Sequence, residues 1–137
     1  MALPFFRLLP RPPGPHGIFH LAFLEPGRYC APHGIQGMLA TAAQEGLDVT
    51  GIAADLTAWE PQEDYDILLF DRTLHMLAAP DRRAVLTRSL PHLCPGGWVL
   101  ISDEKGNLED FRRIFAAEPG AWHTEQDSRG VLFMKRA

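Results

Sequence analysis

Tyr65-Asp66-Ile67-Leu68-Leu69-Phe70 is a nearly continuous apolar run, and Trp98-Val99-Leu100-Ile101-Ser102 is a second one. Strands buried on both faces of a parallel sheet have this uninterrupted apolar character. Between the two runs, apolar residues recur on one broad side at helical spacing: Val85, Leu86, Leu90 and Leu93. The stretch therefore predicts strand, helix and parallel strand, with Cys94-Pro95-Gly96-Gly97 ending the helix.

Upstream of this unit, the pattern predicts two more strands and a helix. Val49–Ala54 is short, partly β-branched and closed by Asp55, and Ile18–Leu24 is a second buried strand that ends before Pro26-Gly27. A helix at apolar spacing lies between them and stops at Gly46. Two parallel strands joined by a helix form a right-handed crossover.

Downstream, a helix and a hairpin complete the chain. Asn107 is the predicted cap of a short helix whose apolar residues are Leu108, Phe111, Ile114 and Phe115. Trp122–Gln126 and Val131–Met134 flank Asp127-Ser128-Arg129-Gly130, which predicts an antiparallel hairpin.

Met1–Gly17 contains five prolines, which remove backbone donors and restrict helical angles. This segment is predicted to be irregular. Three interpretations of Pro10–Gly17 stay open: a surface tether, a coil packed across a sheet edge, or an altered cofactor loop.

Length and composition favour one globular domain spanning residues 1–137, because 137 residues with 46% hydrophobic content bury one ordinary core. The net charge of −4, without a basic stripe, argues against nucleic acid. Cys30 and Cys94 form no Cys-x-x-Cys pair, which favours a reducing cytoplasm. Arg7 and the prolines after it argue against a signal peptide or a membrane-spanning segment.

Four segments in order resemble the second half of a class I S-adenosylmethionine-dependent methyltransferase: Ala54-Asp55-Leu56, Tyr65–Leu69, Leu74-His75-Met76-Leu77 and Leu93–Ile101. The resemblance covers roughly Leu21 to the C-terminus. It implies a Rossmann-like three-layer α/β sheet, mostly parallel, with a C-terminal antiparallel hairpin. The family's glycine-rich loop, of the Asp/Glu-x-Gly-x-Gly-x-Gly kind, has no recognisable counterpart here, so the N-terminal strand and helix are expected to be shortened or missing.

The resemblance also assigns roles to residues in a site for S-adenosylmethionine. Glu25 matches the acidic residue that accepts hydrogen bonds from the ribose hydroxyls, and a turn residue before Pro26 is the competing interpretation. Asp55 matches the carboxylate that accepts from the adenine amino group, with Leu56 packing beside the ring. The alternative for Asp55 is a cap of the following turn.

Asp71 and Arg72 follow a predicted parallel strand, so they open onto the carboxyl edge where α/β sheets bind ligands. Asp71 is the candidate catalytic base and a cofactor contact, and an ion pair with Arg72 or Arg82 is its alternative. His75 is expected to have a packing role. Cys30 with His33, and His16 with His20, lack the four ligands of a structural metal site, so no metal is predicted.

Three functions compete. The first is a methyltransferase acting on an unidentified small molecule or protein. The second is an inactive methyltransferase-like module that works through a protein partner or a homodimer, since a missing first strand exposes apolar surface. The third is a flavodoxin-like nucleotide-binding domain, which lacks the terminal hairpin with its last strand inserted antiparallel.

Overall fold

The computed structural model describes residues 5–8, 21–24, 32–46, 55–62 and 64–137. Within these ranges the strands are β1 (Phe5–Leu8), β2 (Leu21–Leu24), β3 (Tyr65–Asp71), β4 (Leu93–Ser102), β5 (Trp122–Ser128) and β6 (Val131–Arg136). The helices are α1 (Pro32–Gln44), α2 (Ala79–Ser89) and α3 (Lys105–Ala117). Two 3₁₀ turns, Leu74–Met76 and Leu90–His92, flank α2.

The described strands form one mixed sheet in the order β2-β1-β3-β4-β6-β5. β3 and β4 are parallel and are joined through α2, as the two apolar runs predicted. β6 inserts antiparallel between β4 and β5. The Rossmann-like fold class and its terminal hairpin are therefore confirmed, and the flavodoxin-like alternative is excluded by the inserted last strand.

The core lies between one face of this sheet and the helices α2 and α3. Alternate residues of the three central strands point into it because successive side chains of a strand face opposite sides. These residues are Leu68 and Phe70, Val99 and Ile101, and Leu132 and Met134. Val85 and Leu86 of α2 and Phe111 and Phe115 of α3 cover them, so the period-3.6 pattern identified the buried helix faces correctly.

β4 begins earlier than predicted. Its strand pairing starts at Leu93, opposite Tyr65, and resumes at Trp98 opposite Ile67, so the residues between them bulge from the ladder. Gly96 has a φ of 77°, a left-handed conformation that glycine adopts without steric cost. The Pro-Gly-Gly sequence thus lies in a bulge inside β4, and the prediction that Cys94-Pro95-Gly96-Gly97 ends the helix was wrong, because α2 ends at Ser89.

The N-terminal segment is also more regular than predicted. β1 pairs antiparallel with both β2 and β3, so the prediction that residues 1–17 are irregular was wrong for Phe5–Leu8. The strand lies between Pro4 and Pro10 and uses only residues that carry a backbone N–H. The predicted strand at Val49–Ala54, and hence the crossover that ends on it, falls outside the described residues.

The start of α3 differs from the prediction as well. The helix begins at Lys105 with Glu104 at the N-cap, so Asn107 is not its cap. The side chain of Asn107 instead donates a hydrogen bond of 2.8 Å to Oδ1 of Asp103. None of the described helices has the length and apolar character required to cross a lipid bilayer.

An ion pair joins α2 to α3 on the outer surface. Nε of Arg83 lies 2.9 Å and 2.8 Å from the two carboxylate oxygens of Asp110. The hydrogen bond from Arg83 lowers the pKa of the Asp110 carboxyl below its ordinary value. A carboxyl group whose pKa is lowered by folding stabilises the fold above its unfolded-state pKa, and this contribution is lost as the pH falls through the folded-state pKa.

We therefore expect Asp110→Asn to lose less stability than the parent chain on acidification from about pH 5 to about pH 2. Urea unfolding at several pH values measures the free energy of unfolding of the parent chain and of Asp110→Asn. Glu45→Gln, at an exposed position after α1, is the control and should follow the parent curve. Parallel curves for the parent and Asp110→Asn would show that the ion pair contributes nothing to the pH dependence.

Candidate functional site

The carboxyl ends of β3 and β4 lie side by side, with Asp71 paired to Ser102. The amide of Arg72 donates a 2.7 Å hydrogen bond to the Ser102 carbonyl, which draws the chain across the end of β4. Arg72 has a φ of 50°, a left-handed conformation that is uncommon for a residue with a side chain. Backbone conformations of this kind are concentrated at functional sites, and the ligand-binding role predicted for Asp71 at this edge stays a prediction.

Asp103, the second residue of this edge, was missed by the sequence reasoning. It follows β4 directly and is only 4% exposed. Oδ1 accepts hydrogen bonds from the Glu104 amide at 2.7 Å and from Asn107, while Oδ2 has no hydrogen-bond partner among the described residues. The available signal was its position, because Asp71 and Asp103 both come at the end of a parallel apolar run.

The backbone around Asp103 is held by the β5–β6 turn. Its amide donates a 2.9 Å hydrogen bond to the Gly130 carbonyl, and a Cβ on Gly130 would lie 3.1 Å from the Asp103 carbonyl oxygen. Three loops thus converge at the carboxyl edge: those after β3 and β4, and the hairpin turn. The loops after β3 and β4 carry one half-buried and one buried acidic residue, Asp71 and Asp103.

Asp55 is held in a separate hydrogen-bond network. Its Oδ1 accepts from the Thr57 amide at 2.9 Å and from the Thr57 hydroxyl at 2.8 Å, and its carbonyl accepts from the Ala58 and Trp59 amides. The residue therefore does cap a turn, which was the alternative to a cofactor role, and a capping carboxylate retains acceptor sites for a ligand. The turn-capping interpretation of Asp55 is confirmed, and its predicted contact with the adenine amino group stays a prediction.

Arg88 braces this turn from the last turn of α2. Its Nη2 donates to the carbonyls of Leu56 and Thr57 at 2.7 Å and 2.8 Å. Leu56 is fully buried in the core, so its side chain anchors the turn. Its predicted contact with an adenine ring stays a prediction, as does the ribose contact of Glu25, which lies outside the described residues.

Three other features were considered as candidates for a functional role: His75, a metal site and a cavity. His75 is half-buried in the 3₁₀ turn Leu74–Met76, and its expected packing role stays a prediction. Among the described residues no group of His, Cys, Asp or Glu is arranged to hold a metal ion. A cavity of about 390 Å³ between α3 and β5 is lined by Phe115 and Trp122 and includes none of the candidate site residues.

Comparison with known proteins identifies relatives in sequence, although no family model matches. The chain is 35% identical over 72 residues to trans-aconitate 2-methyltransferase of Mycobacterium tuberculosis, a match that spans 53% of this chain and 26% of that protein. The trans-aconitate 2-methyltransferase of Azoarcus sp. is 33% identical over 85 residues, which is 62% of this chain and 33% of the relative.

Solved structures share the fold. The N-methyltransferase NodS from Bradyrhizobium japonicum, in complex with S-adenosylhomocysteine, superposes with a TM-score of 0.56 over 84% of this chain and 65% of its own, at 12% identity. TehB from Haemophilus influenzae gives a TM-score of 0.62 at 12% identity, over 87% of this chain and 50% of its own. The chain is a relative of the class I S-adenosylmethionine-dependent methyltransferases.

The sequence match covers only part of the trans-aconitate methyltransferases. The aligned residues amount to between a quarter and a third of the length of the trans-aconitate enzymes. The methyltransferase neighbours therefore show the fold of this chain. The activity and the acceptor of this chain are matters for proposal.

Proposed function

We propose that this chain binds S-adenosylmethionine at the carboxyl edge of its sheet and transfers the methyl group to a small carboxylic acid. The observation that carries the proposal is the 35% identity over 72 residues to enzymes named for trans-aconitate methylation. In this proposal Asp55 accepts a hydrogen bond from the adenine amino group, Leu56 packs beside the ring and Glu25 binds the ribose.

The acceptor is placed beside Asp71 and Arg72. A carboxylate oxygen attacks the methyl carbon, the bond from that carbon to sulfur breaks, and the sulfur keeps the electron pair as S-adenosylhomocysteine forms. This step releases no proton, so a carboxylate acceptor needs no general base. For a carboxylate acceptor Asp71 therefore has no proton to remove, whereas a hydroxyl acceptor would use Asp71 as its general base.

Charge supports an assisting role for Arg72. Asp71 and Asp103 repel an anionic acceptor, and a guanidinium at the same edge offsets that repulsion through paired hydrogen bonds to a carboxylate. Arg72 is exposed and its backbone is fixed by Ser102. Arg72 is accordingly the proposed carboxylate-binding residue of the acceptor site.

The proposal is tested in two steps. Calorimetric titration with S-adenosylhomocysteine should show saturable binding with a Kd below about 1 mM. Incubation with methyl-labelled S-adenosylmethionine and trans-aconitate should then yield a labelled, base-labile methyl ester. Binding without ester formation would refute the acceptor, and absence of binding would refute the cofactor site as well.

A second candidate function is an inactive methyltransferase-like module that acts through a protein partner or as a homodimer in the cytoplasm. The observation in its favour is β1, which lies between β2 and β3 and is antiparallel to both, beside the parallel pair β3 and β4. Light scattering after size-exclusion chromatography measures the molar mass and distinguishes a homodimer from a monomer. A strict monomer that captures no partner would count against the module and leave the enzyme proposal intact.

A further inference from the structure

The cavity between α3 and β5 has the size and the walls of a small-molecule site. Its volume is about 390 Å³, and such sites have volumes of about 300–1,000 Å³ with mostly apolar walls. Phe115 and Met134, two residues of the core, line the cavity together with Trp122. Ala116 and Thr124 line it as well and are exposed, so the cavity can be reached from solvent. It therefore has room for a small ligand with one aromatic ring.

This cavity is separate from the proposed S-adenosylmethionine site. Its aromatic residue Trp122 begins β5 and pairs with Arg136, the last residue of β6. The carboxyl edge lies at the other end of the same hairpin, where Val131 pairs with Ser102 of β4. A ligand beside Trp122 is therefore not expected to compete with a ligand beside Asp71.

Among the described residues that line the cavity, three carry a charge, and two of these neutralise each other. Nε of Arg112 lies 2.7 Å from Oδ2 of Asp127, and Nη2 of Arg112 lies 2.6 Å from Oδ1. Two parallel hydrogen bonds between a guanidinium and a carboxylate fix the geometry of both groups. The remaining charge is the carboxylate of Glu118, at the C-terminal end of α3.

The surroundings of Glu118 favour a positively charged ligand group. Its side chain is half-buried, and no cationic side chain among the described residues forms an ion pair with it. The arginines that line neighbouring cavities with Glu118 have other partners: Asp110 for Arg83, Glu109 for Arg113 and the Leu93 carbonyl for Arg136. Glu118 is also the C-cap of α3, whose last turn contains no basic residue. Because the C-terminus of a helix carries a partial negative charge, it adds to the attraction of the carboxylate for a cation.

Phe115 and Trp122 supply aromatic surface in the same cavity. Their ring centroids are 5.0 Å apart, and the ring planes are inclined at 69°. Aromatic surface of this kind packs against a further ring and also attracts a cation. We propose that the cavity binds small arylalkylamines, with the ammonium group at Glu118 and the aromatic ring against Phe115 and Trp122. This site does not depend on the proposed methyl transfer.

Calorimetric titration of the full chain with 2-phenylethylamine tests the proposal. We expect saturable binding with a Kd below about 1 mM. The anion 3-phenylpropanoate has the same ring and a similar size, and it should bind at least about tenfold more weakly because its carboxylate is repelled by Glu118. A Kd for the amine above about 1 mM, or equal affinity for the two ligands, would overturn the inference.

Variants locate the ligand. Glu118→Gln keeps the size of the side chain and removes its charge, so it should weaken binding of the amine about tenfold and should not weaken binding of the anion. Glu125→Gln makes the same chemical change at an exposed position of β5 and should leave both constants unchanged. Thr124→Trp places a large side chain in the cavity and should abolish binding of the amine.

Circular dichroism shows whether each variant is folded, and titration with S-adenosylhomocysteine should give the same result for all variants as for the parent chain. Unchanged affinity for the amine in folded Glu118→Gln or in folded Thr124→Trp would place the ligand elsewhere and overturn the inference. Because the amine and S-adenosylhomocysteine are titrated separately, failure of this site and failure of the proposed function are distinguished.

Discussion

Gly97→Ala is expected to lower the free energy of unfolding by about 2 kcal/mol or more. A Cβ at this position would lie 2.8 Å from the carbonyl oxygens of Asp66 and Cys94 and 2.8 Å from Cγ of Leu93. Two of these three atoms belong to the backbone of paired strands, so they cannot move aside without breaking the β3–β4 ladder. Urea unfolding followed by circular dichroism measures the loss.

Gly106→Ala is the matched control. Gly106 lies in the first turn of α3, and a Cβ there has no atom within 4 Å. The same methyl group should therefore leave stability unchanged or raise it by up to about 1 kcal/mol, because alanine loses less backbone entropy in a helix. Equal effects at both glycines would mean that the bulge at residues 94–97 is not packed as described.

The elements that sequence alone predicted are those whose burial pattern is local. β3 is a nearly continuous apolar run and α3 repeats its apolar residues at a period near 3.6, and each pattern can be recognised within the element itself. The hairpin could also be predicted from sequence, because Gly130 lies between two strand-like runs. Its φ of 77° is a conformation that glycine adopts without steric cost. Parallel pairing of the two apolar runs followed from their continuous hydrophobicity.

The elements that sequence did not predict depend on partners far away along the chain. β1 has four residues between prolines, and only pairing with β2 and β3 makes it a strand. The early start of β4 depends on the pairing of Leu93 with Tyr65, which no pattern within residues 93–97 reveals. In both places a local breaker signal was outweighed by hydrogen bonds to a neighbouring strand.

The candidate site likewise contains one residue that sequence alone predicted and one that it missed. Asp71 was predicted because it ends a parallel apolar run, and the structure places it at the carboxyl edge beside Ser102. Asp103 ends the next run but was interpreted as part of a polar loop. Its burial depends on the hairpin turn, whose Gly130 carbonyl holds its amide from far along the chain. The end of a strand can be predicted from the sequence, whereas the packing of a distant loop over that end cannot.

Phe111→Ala should have the largest effect on stability, about 3–5 kcal/mol. Phe111 is fully buried in α3 within the cluster that also contains Phe70 and Ile101. Truncation removes the ring from contact with the sheet and leaves a cavity that the rigid β3–β4 ladder cannot close. A domain of this length is stable by only about 5–15 kcal/mol, so much of its stability depends on this one side chain.

Phe133→Ala is the corresponding control, because Phe133 lies in β6 on the opposite face of the sheet and is only half-buried. The same truncation there should cost less than half as much. Urea unfolding of both variants decides the comparison. The two curves are fitted with one common dependence of the unfolding free energy on urea concentration. If Phe133→Ala were the more damaging change, the principal core would lie on the other face of the sheet. The positions of α2, α3 and the Arg88 brace would then have to be revised, and with them the proposed adenosine site.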